Sequence, residues 1–231
     1  HDGLGQGAID VMVAMEELGR GMVLEPLAHA FIASSVLTQY APAELQAAWL
    51  ARIASGGALV VLAQQERKAR YALEKCEAKS APAQSGYTLT ATKNIVPAGD
   101  QADAYLVPAQ LDGQIALFLV ERSASGVSAQ GYATQDGSRA AEVQFANASA
   151  TLITKDGLAA LELAVDTGIA SLCAEAVGVM DKAVALTVDY MNQRKQFGVT
   201  IASFQALRHR VADMKMQLEL ARSMSYYASL K

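Results

Sequence analysis

Tyr190-Met-Asn-Gln-Arg194-Lys-Gln196-Phe197-Gly198-Val-Thr-Ile201-Ala-Ser-Phe204-Gln205-Ala-Leu-Arg-His-Arg-Val211-Ala212-Asp213-Met214 is the stretch on which the reading of this 231-residue chain turns. Upstream of it, Ile169, Leu172, Cys173, Ala176, Val177, Met180, Val184 and Val188 recur at helical spacing, one apolar seam running to about Met191. The period breaks around Gly198. Phe204, Leu207, Val211, Met214 and Leu218 then restart it. Two long amphipathic helices joined by a short link read as half of an antiparallel bundle, expected over 154–231.

Working back, residues 58–153 have a different texture. Segments are short, they alternate, and turn residues separate them. Tyr87, Leu89 and Ala91 alternate with polar neighbours. Tyr105 to Gln110, Leu111-Asp112-Gly113 and Ile115 to Val120 predict a hairpin with an Asp-Gly turn. Ala141, Val143 and Phe145 predict a half-buried strand. No helix of useful length fits between these segments, which favours an antiparallel sheet or barrel over βαβ units.

Residues 1–57 are helical in pattern. Ile9, Met12, Val13 and Leu18 recur at helical spacing, with Gly19 as the expected stop; a second helix runs from about Pro42, with Leu45, Trp49 and Ile53 on one face, to Gly56-Gly57. The fold expected is therefore multidomain: a helical domain, an antiparallel β-barrel-like domain, then an antiparallel helical bundle. His1 opens the chain where a Met would be expected, and Lys231 falls inside a helical pattern, so the chain reads as truncated at both ends.

Composition narrows the class. The chain is 52% hydrophobic and 18% charged, a balance that implies much buried surface in a core or between subunits. A net charge of −4 provides no basic field for nucleic acid or an anionic membrane. The runs Ala58 to Ala63 and Leu117 to Val120 are far too short to span a bilayer. Cys76 and Cys173 form no CxxC pair and no disulfide framework, and a reducing cytosol is the simplest compartment. His1, His29 and His209 lack metal-ligand spacing, so no metal is expected. Gly3-Leu-Gly5-Gln-Gly7 follows no strand, and neither GxxxxGK[ST] nor GxSxG occurs.

The stretch from Tyr190 to Met214 resembles the helix–loop–helix segment of the acyl-CoA dehydrogenases, with its R-x-x-F-G element, its F-Q or H-Q pair and A-[DE]-M. The resemblance continues through nearly the whole chain: Met15-Glu16-Glu17-Leu18-Gly19, Gly86-Tyr87, Thr92-Lys93, Gly99-Asp100-Gln-Ala102-Asp103, Leu117-Phe118-Leu119-Val120, Gly126-Val127 and Arg139 to Phe145 follow the family in order. Gly131 to Gly137, with Glu66 and Arg70-Tyr71, is similar to the small-subunit type of bacterial pimeloyl-CoA dehydrogenases.

That resemblance implies FAD at a subunit interface of a homo- or hetero-oligomer, dimer or tetramer. It implies an acyl-CoA substrate and an electron-transfer flavoprotein as electron acceptor. The reaction implied is α,β-dehydrogenation: a carboxylate removes the α proton and the β hydrogen leaves as hydride to the flavin. The implied cofactor contacts are Arg194, Gln196, Phe197, Phe204 and Gln205. The arginine suits a diphosphate, and Phe197 a flat ring surface. Each also has a purely structural role open to it: helix-end cation, capping amide or core aromatic.

The chain also departs from the family. Where the family carries a T-E-P-G-A-G-S-D-like loop, Gln65-Glu66-Arg67-Lys68-Ala69-Arg70-Tyr71-Ala72 stands here, as a solvated loop or a contact for CoA phosphates. Ile95-Val96-Pro97-Ala98 replaces W-I-T-N. Asp166 aligns with a substrate-binding position, but Gly168 occupies the place of a catalytic glutamate found in some members. Asp166 lies about 200° around a helix from a position two residues away, so it cannot serve instead. No residue is nominated as the base. Two readings stand: a self-sufficient dehydrogenase, or a half-site subunit that completes a partner's FAD site. A non-catalytic scaffold and a flavin oxidase of the same fold are further alternatives.

Overall fold

Residues 7–230 are described by the computed structural model; His1 and most of the Gly3 to Gly7 stretch lie outside them. Helix α1 (Ala8–Gly21) does not stop at Gly19. Met22 ends it instead, in the left-handed conformation, with its N–H on the Gly19 carbonyl and the Val23 N–H on that of Leu18. Helix α2 (Leu27–Tyr40) buries Ala28, Ile32, Ala33, Val36 and Leu37. It is apolar around most of its circumference, so no period marks it in the sequence. Helix α3 (Ala43–Ala54) begins after Pro42, as expected, and buries Trp49, Leu50 and Ile53.

The strands are β1 (Val60–Leu62), β2 (Lys79–Pro82), β3 (Tyr87–Pro97), β4 (Ala104–Leu111), β5 (Gln114–Glu121), β6 (Val127–Ala133) and β7 (Arg139–Thr154). The β4–β5 hairpin closes on Asp112 and Gly113, both left-handed, as the Asp-Gly turn predicts. β4 pairs β5, β5 pairs β7, β7 pairs β3, β3 pairs β2, and β2 returns to β4, so the sheet closes into a barrel. Pairing is antiparallel except at β1–β4 and β2–β4, which run parallel. β6 continues the outer part of β7.

The chain packs as two units: one holds Glu25–Gly168, the other the stretch to Leu24 together with that from Ile169. In the first, the barrel interior is filled by Val61, Leu89, Tyr105, Phe118, Val143 and Phe145. A second core joins α2 and α3 to the sheet and to Ala160, Leu161 and Ala164, at the start of helix α4 (Gly157–Gln193). In the second unit, α1 crosses the later part of α4 at two glycines. A Cβ at Gly178 would strike the Glu16 carbonyl, and one at Gly19 the Glu175 carbonyl. Helix α5 (Gln205–Ser229) adds Arg222, which pairs with buried Glu16; Arg20 pairs with Glu16 and Asp181. By length and composition α4 is apolar enough to cross a membrane, contrary to the expectation from the short apolar runs. Its Asp181 is nonetheless tied to Arg20 and Arg222, which marks that part of it as a bundle helix.

The sequence seam along α4 is only partly a core. Of its residues Val177 is buried, whereas Ile169, Leu172, Cys173, Ala176 and Val188 face solvent in this chain; the buried face is set instead by Ser171, Ala174 and Val177.

The barrel also holds a charged pair. Lys93 is fully buried; its Nζ donates to Glu66 Oε1 at 2.7 Å and to the Pro108 carbonyl at 3.0 Å. Glu66 in turn accepts the N–H groups of Glu77 and Ala78 at 2.6 and 3.1 Å. Burial pushes the Glu66 carboxyl up, but Lys93 and the two N–H groups outweigh it and hold it below the usual carboxylate range. A depressed folded value stabilises the fold above the unfolded value of about 4.3 and loses that contribution as pH falls through the folded value. Glu66→Gln should cost about 3–5 kcal/mol at neutral pH, because it strands a buried ammonium. Its unfolding free energy should also fall less steeply than the parent's between pH 5 and pH 3; urea titrations at both pH values measure this.

Candidate functional site

The link between α4 and α5 is built, not slack. The Arg194 N–H closes the last turn of α4 on the Tyr190 carbonyl at 2.8 Å. Strands β8 (Lys195–Gln196) and β9 (Val199–Thr200) then pair antiparallel around a two-residue loop, Phe197-Gly198. Both loop residues are left-handed, with φ of 54° and 81°. This is a type I′ turn, whose twist suits a tight hairpin and whose first position ordinarily takes Asn, Asp or Gly. Phenylalanine there costs about 1–2 kcal/mol of backbone preference.

Phe197 recovers little of that by burial: it is 91% exposed. Its ring meets Phe204 edge-on, centroids 6.2 Å apart. The local fold does not account for a disfavoured conformation that displays an aromatic ring to solvent.

A short 3-10 turn (Ile201–Ser203) follows. The Ile201 N–H donates to the Arg194 carbonyl at 2.9 Å, and the Ser203 hydroxyl to the Thr200 carbonyl at 2.7 Å. Arg208 Nε reaches back from α5 to the Ala202 carbonyl at 2.6 Å. Phe204 precedes the first residue of α5, Gln205, whose first turn carries no acidic residue.

The structure thus brings Arg194, Gln196, Phe197, Phe204 and Gln205 into one hairpin and helix start, all five exposed. Gln196 Nε2 donates to the Lys195 carbonyl. Among the described residues Arg194 forms no ion pair. An outward guanidinium, an outward aromatic and two amides offer what a planar ring system joined to a diphosphate requires: a flat apolar contact, a bidentate cation and edge hydrogen bonds.

Asp166 belongs to the other packing unit, exposed on the first part of α4. Gly168 is buried, and a Cβ there would stand 3.1 Å from Ile32 Cδ1. The departures from the family also have concrete forms. Arg67 pairs with Glu142 at 3.2 Å, and Asn94 Nδ2 donates to the same carboxylate at 2.8 Å. Lys68 pairs with Glu77 at 3.1 Å. Ile95 is left-handed and exposed, at a bulge between Lys93 and Val96. Burial holds His29, on α2, below the usual imidazole range, so it is neutral at pH 7; His209 is exposed. Sequence pattern had marked only a break at Gly198. It missed the hairpin and the ties made by Ser203 and Arg208, because strands of two residues carry no period.

Residues 155–231 match the family model described as acyl-CoA dehydrogenase, C-terminal domain. The acyl-CoA dehydrogenase FadE27 of Mycobacterium tuberculosis is 28% identical over 91% of the chain, which spans 56% of that relative's length. Among solved structures, the ChsE4-ChsE5 complex from Mycobacterium tuberculosis matches at 26% identity with a TM-score of 0.87, over 98% of this chain and 62% of that one. Butyryl-CoA dehydrogenase from Megasphaera elsdenii matches at 25% identity with a TM-score of 0.91, over 99% of this chain and 64% of that one.

The turn itself makes a prediction. Phe197→Asn should leave the unfolding midpoint unchanged or raise it by up to about 1 kcal/mol equivalent, because Asn tolerates the left-handed position. Gly198→Val should instead expose the Gln196 and Val199 amides to hydrogen exchange at least tenfold faster, since a β-branched residue is strained there.

Proposed function

We propose that this chain, whose residues 155–231 match the acyl-CoA dehydrogenase C-terminal domain, belongs to the acyl-CoA dehydrogenase family, and that the whole protein takes part in FAD-dependent α,β-dehydrogenation of an acyl-CoA thioester, its electrons passing to a carrier flavoprotein. The observation that carries this reading is the exposure of Phe197 on a strained hairpin that begins directly after an exposed Arg194. The residues of the hairpin fit FAD. When bound, the flavin supplies the acceptor for the hydride that leaves the β carbon.

The chain's own residues bind and orient. Arg194 holds the diphosphate through paired N–H donors. Phe197 covers a flat face of the cofactor and excludes water from it, with Phe204 bracing its ring. Gln196 and Gln205 donate amide N–H groups to polar edges. In this reading the cofactor lies at a subunit interface of a homo- or hetero-oligomer, with which the exposure of all five residues is in keeping. Asp166 offers acceptor oxygens to the CoA part of the substrate. No described residue is assigned as the base.

A second reading is favoured by residue 168. There a Cβ would crowd Ile32 Cδ1 at 3.1 Å, and the glycine loop is replaced by a segment whose Arg67 and Lys68 are in ion pairs. In that reading the chain is a half-site subunit that lends its hairpin to a partner's FAD. The resemblance to a complex of two named chains is in keeping with it.

The visible absorption spectrum of the purified full-length protein, alone and co-expressed with a related chain, separates the two. A flavin spectrum from the protein alone, bleached anaerobically by an acyl-CoA, supports the self-sufficient enzyme. Colour only on co-expression supports the half-site subunit. In either case Arg194→Gln should weaken FAD binding tenfold or more. A protein colourless in both settings would sink both readings.

A further inference from the structure

Arg208 stands where a helix does not favour a cation. It closes the first turn of α5, at the positive end of the helix dipole, and no acidic residue in that turn offsets it. Helical side chains lean toward the N-terminus, and this one uses that lean: its Nε donates to the Ala202 carbonyl at 2.6 Å. The neighbouring residue, Ile201, donates its N–H to the Arg194 carbonyl at 2.9 Å. Two hydrogen bonds, with a single peptide unit between them, therefore connect the Arg208 guanidinium to the backbone of Arg194. The Ser203 hydroxyl, by contrast, bonds only within the turn, to Thr200.

We propose that Arg208 is a positioning residue for Arg194: it fixes the 3-10 turn, and through it the base of the hairpin from which Arg194 and Phe197 project. The proposal rests on the flavin reading of the hairpin. Arg208 itself touches no cofactor; its effect on FAD passes through Arg194. Its side chain borders an open groove with Val188, Met191, Ala202, Val211 and Lys215, so the guanidinium is accessible to substitution without disturbing a core.

The test is a double-mutant cycle on FAD affinity, read by quenching of flavin fluorescence. It uses the full-length protein, with its partner chain where colour requires one. The variants are Arg208→Ala, Arg194→Gln, the pair together, and Arg208→Lys. Arg208→Ala is expected to weaken FAD about tenfold, the scale of one charge-assisted hydrogen bond, with an unchanged far-ultraviolet dichroism spectrum. In the Arg194→Gln background the same change should cost less than twofold, because a residue that acts through another adds nothing once that other is gone. Arg208→Lys should recover part of the loss and stands in if Arg208→Ala fails to fold. Affinity within twofold of the parent for both Arg208 variants overturns the proposal, as do losses that multiply in the double variant, which would mean direct contact. If Arg194→Gln itself leaves FAD affinity intact, the flavin reading of the hairpin has failed, and the Arg208 proposal falls with it for that separate reason.

Discussion

Glu16 is a carboxylate buried to 7% exposure between two guanidiniums, Arg20 and Arg222, at the point where α1 lies against α4. A buried charge is tolerable only when paired and hydrogen-bonded, so this residue dictates that a cation from α1 and another from α5 converge on it. The approach is possible only because Gly178 lets the Glu16 carbonyl come within what would be Cβ distance, and Gly19 does the same for Glu175. With the three helices pinned there, α4 and α5 run antiparallel and their shared end must be joined by a short link. The hairpin of residues 195–200 is that link. Its position is a consequence of the helix pair, and its conformation a consequence of how little chain is available to turn round.

The sequence made the order of helices, strands and helices legible because each part has a period of its own. The Asp112-Gly113 turn was readable for a local reason: two left-handed positions in succession admit few residues, and Asp-Gly is among them. Met22 was not readable, because a non-glycine helix stop is chosen by tertiary packing; Gly19, which looked like the stop, serves a neighbour's backbone instead. Helix α2 escaped notice for the opposite reason: it is covered by core on so many sides that no polar face sets a phase.

The site was legible in part, for an uneven reason. Arg194, Phe197 and Gln205 stood out through family resemblance, whereas nothing in spacing alone marked them. Their geometry adds what resemblance lacked, namely that all are exposed and that one is strained. Arg208 was invisible, since an arginine on a helix is ordinary until its partner carbonyl is known. The converse holds in the barrel. Lys93 and Glu66 could be quoted as matching residues, but only the structure shows them buried as a pair, with Glu66 anchoring the backbone of Glu77 and Ala78. That anchoring explains how the segment keeps its path although the family's two glycines are replaced by Lys68 and Arg70.

Phe197 is the clearest conflict between local and larger demands. The turn prefers a small polar residue, burial gives the ring almost nothing, and the contact with Phe204 is worth about 0.5–1.5 kcal/mol, roughly the size of the backbone cost. Folding of this chain is therefore nearly indifferent to the aromatic ring or mildly opposed to it. A position at which the fold gains nothing, held by a large apolar side chain facing water, is where a functional role is to be sought. Arg194 shares the circumstance: exposed, without an ion pair among the described residues, and bonded only through its backbone. Two exposed residues three positions apart, neither needed by the local structure, at a hairpin that the local structure does need, are the observation on which the proposed cofactor contact rests.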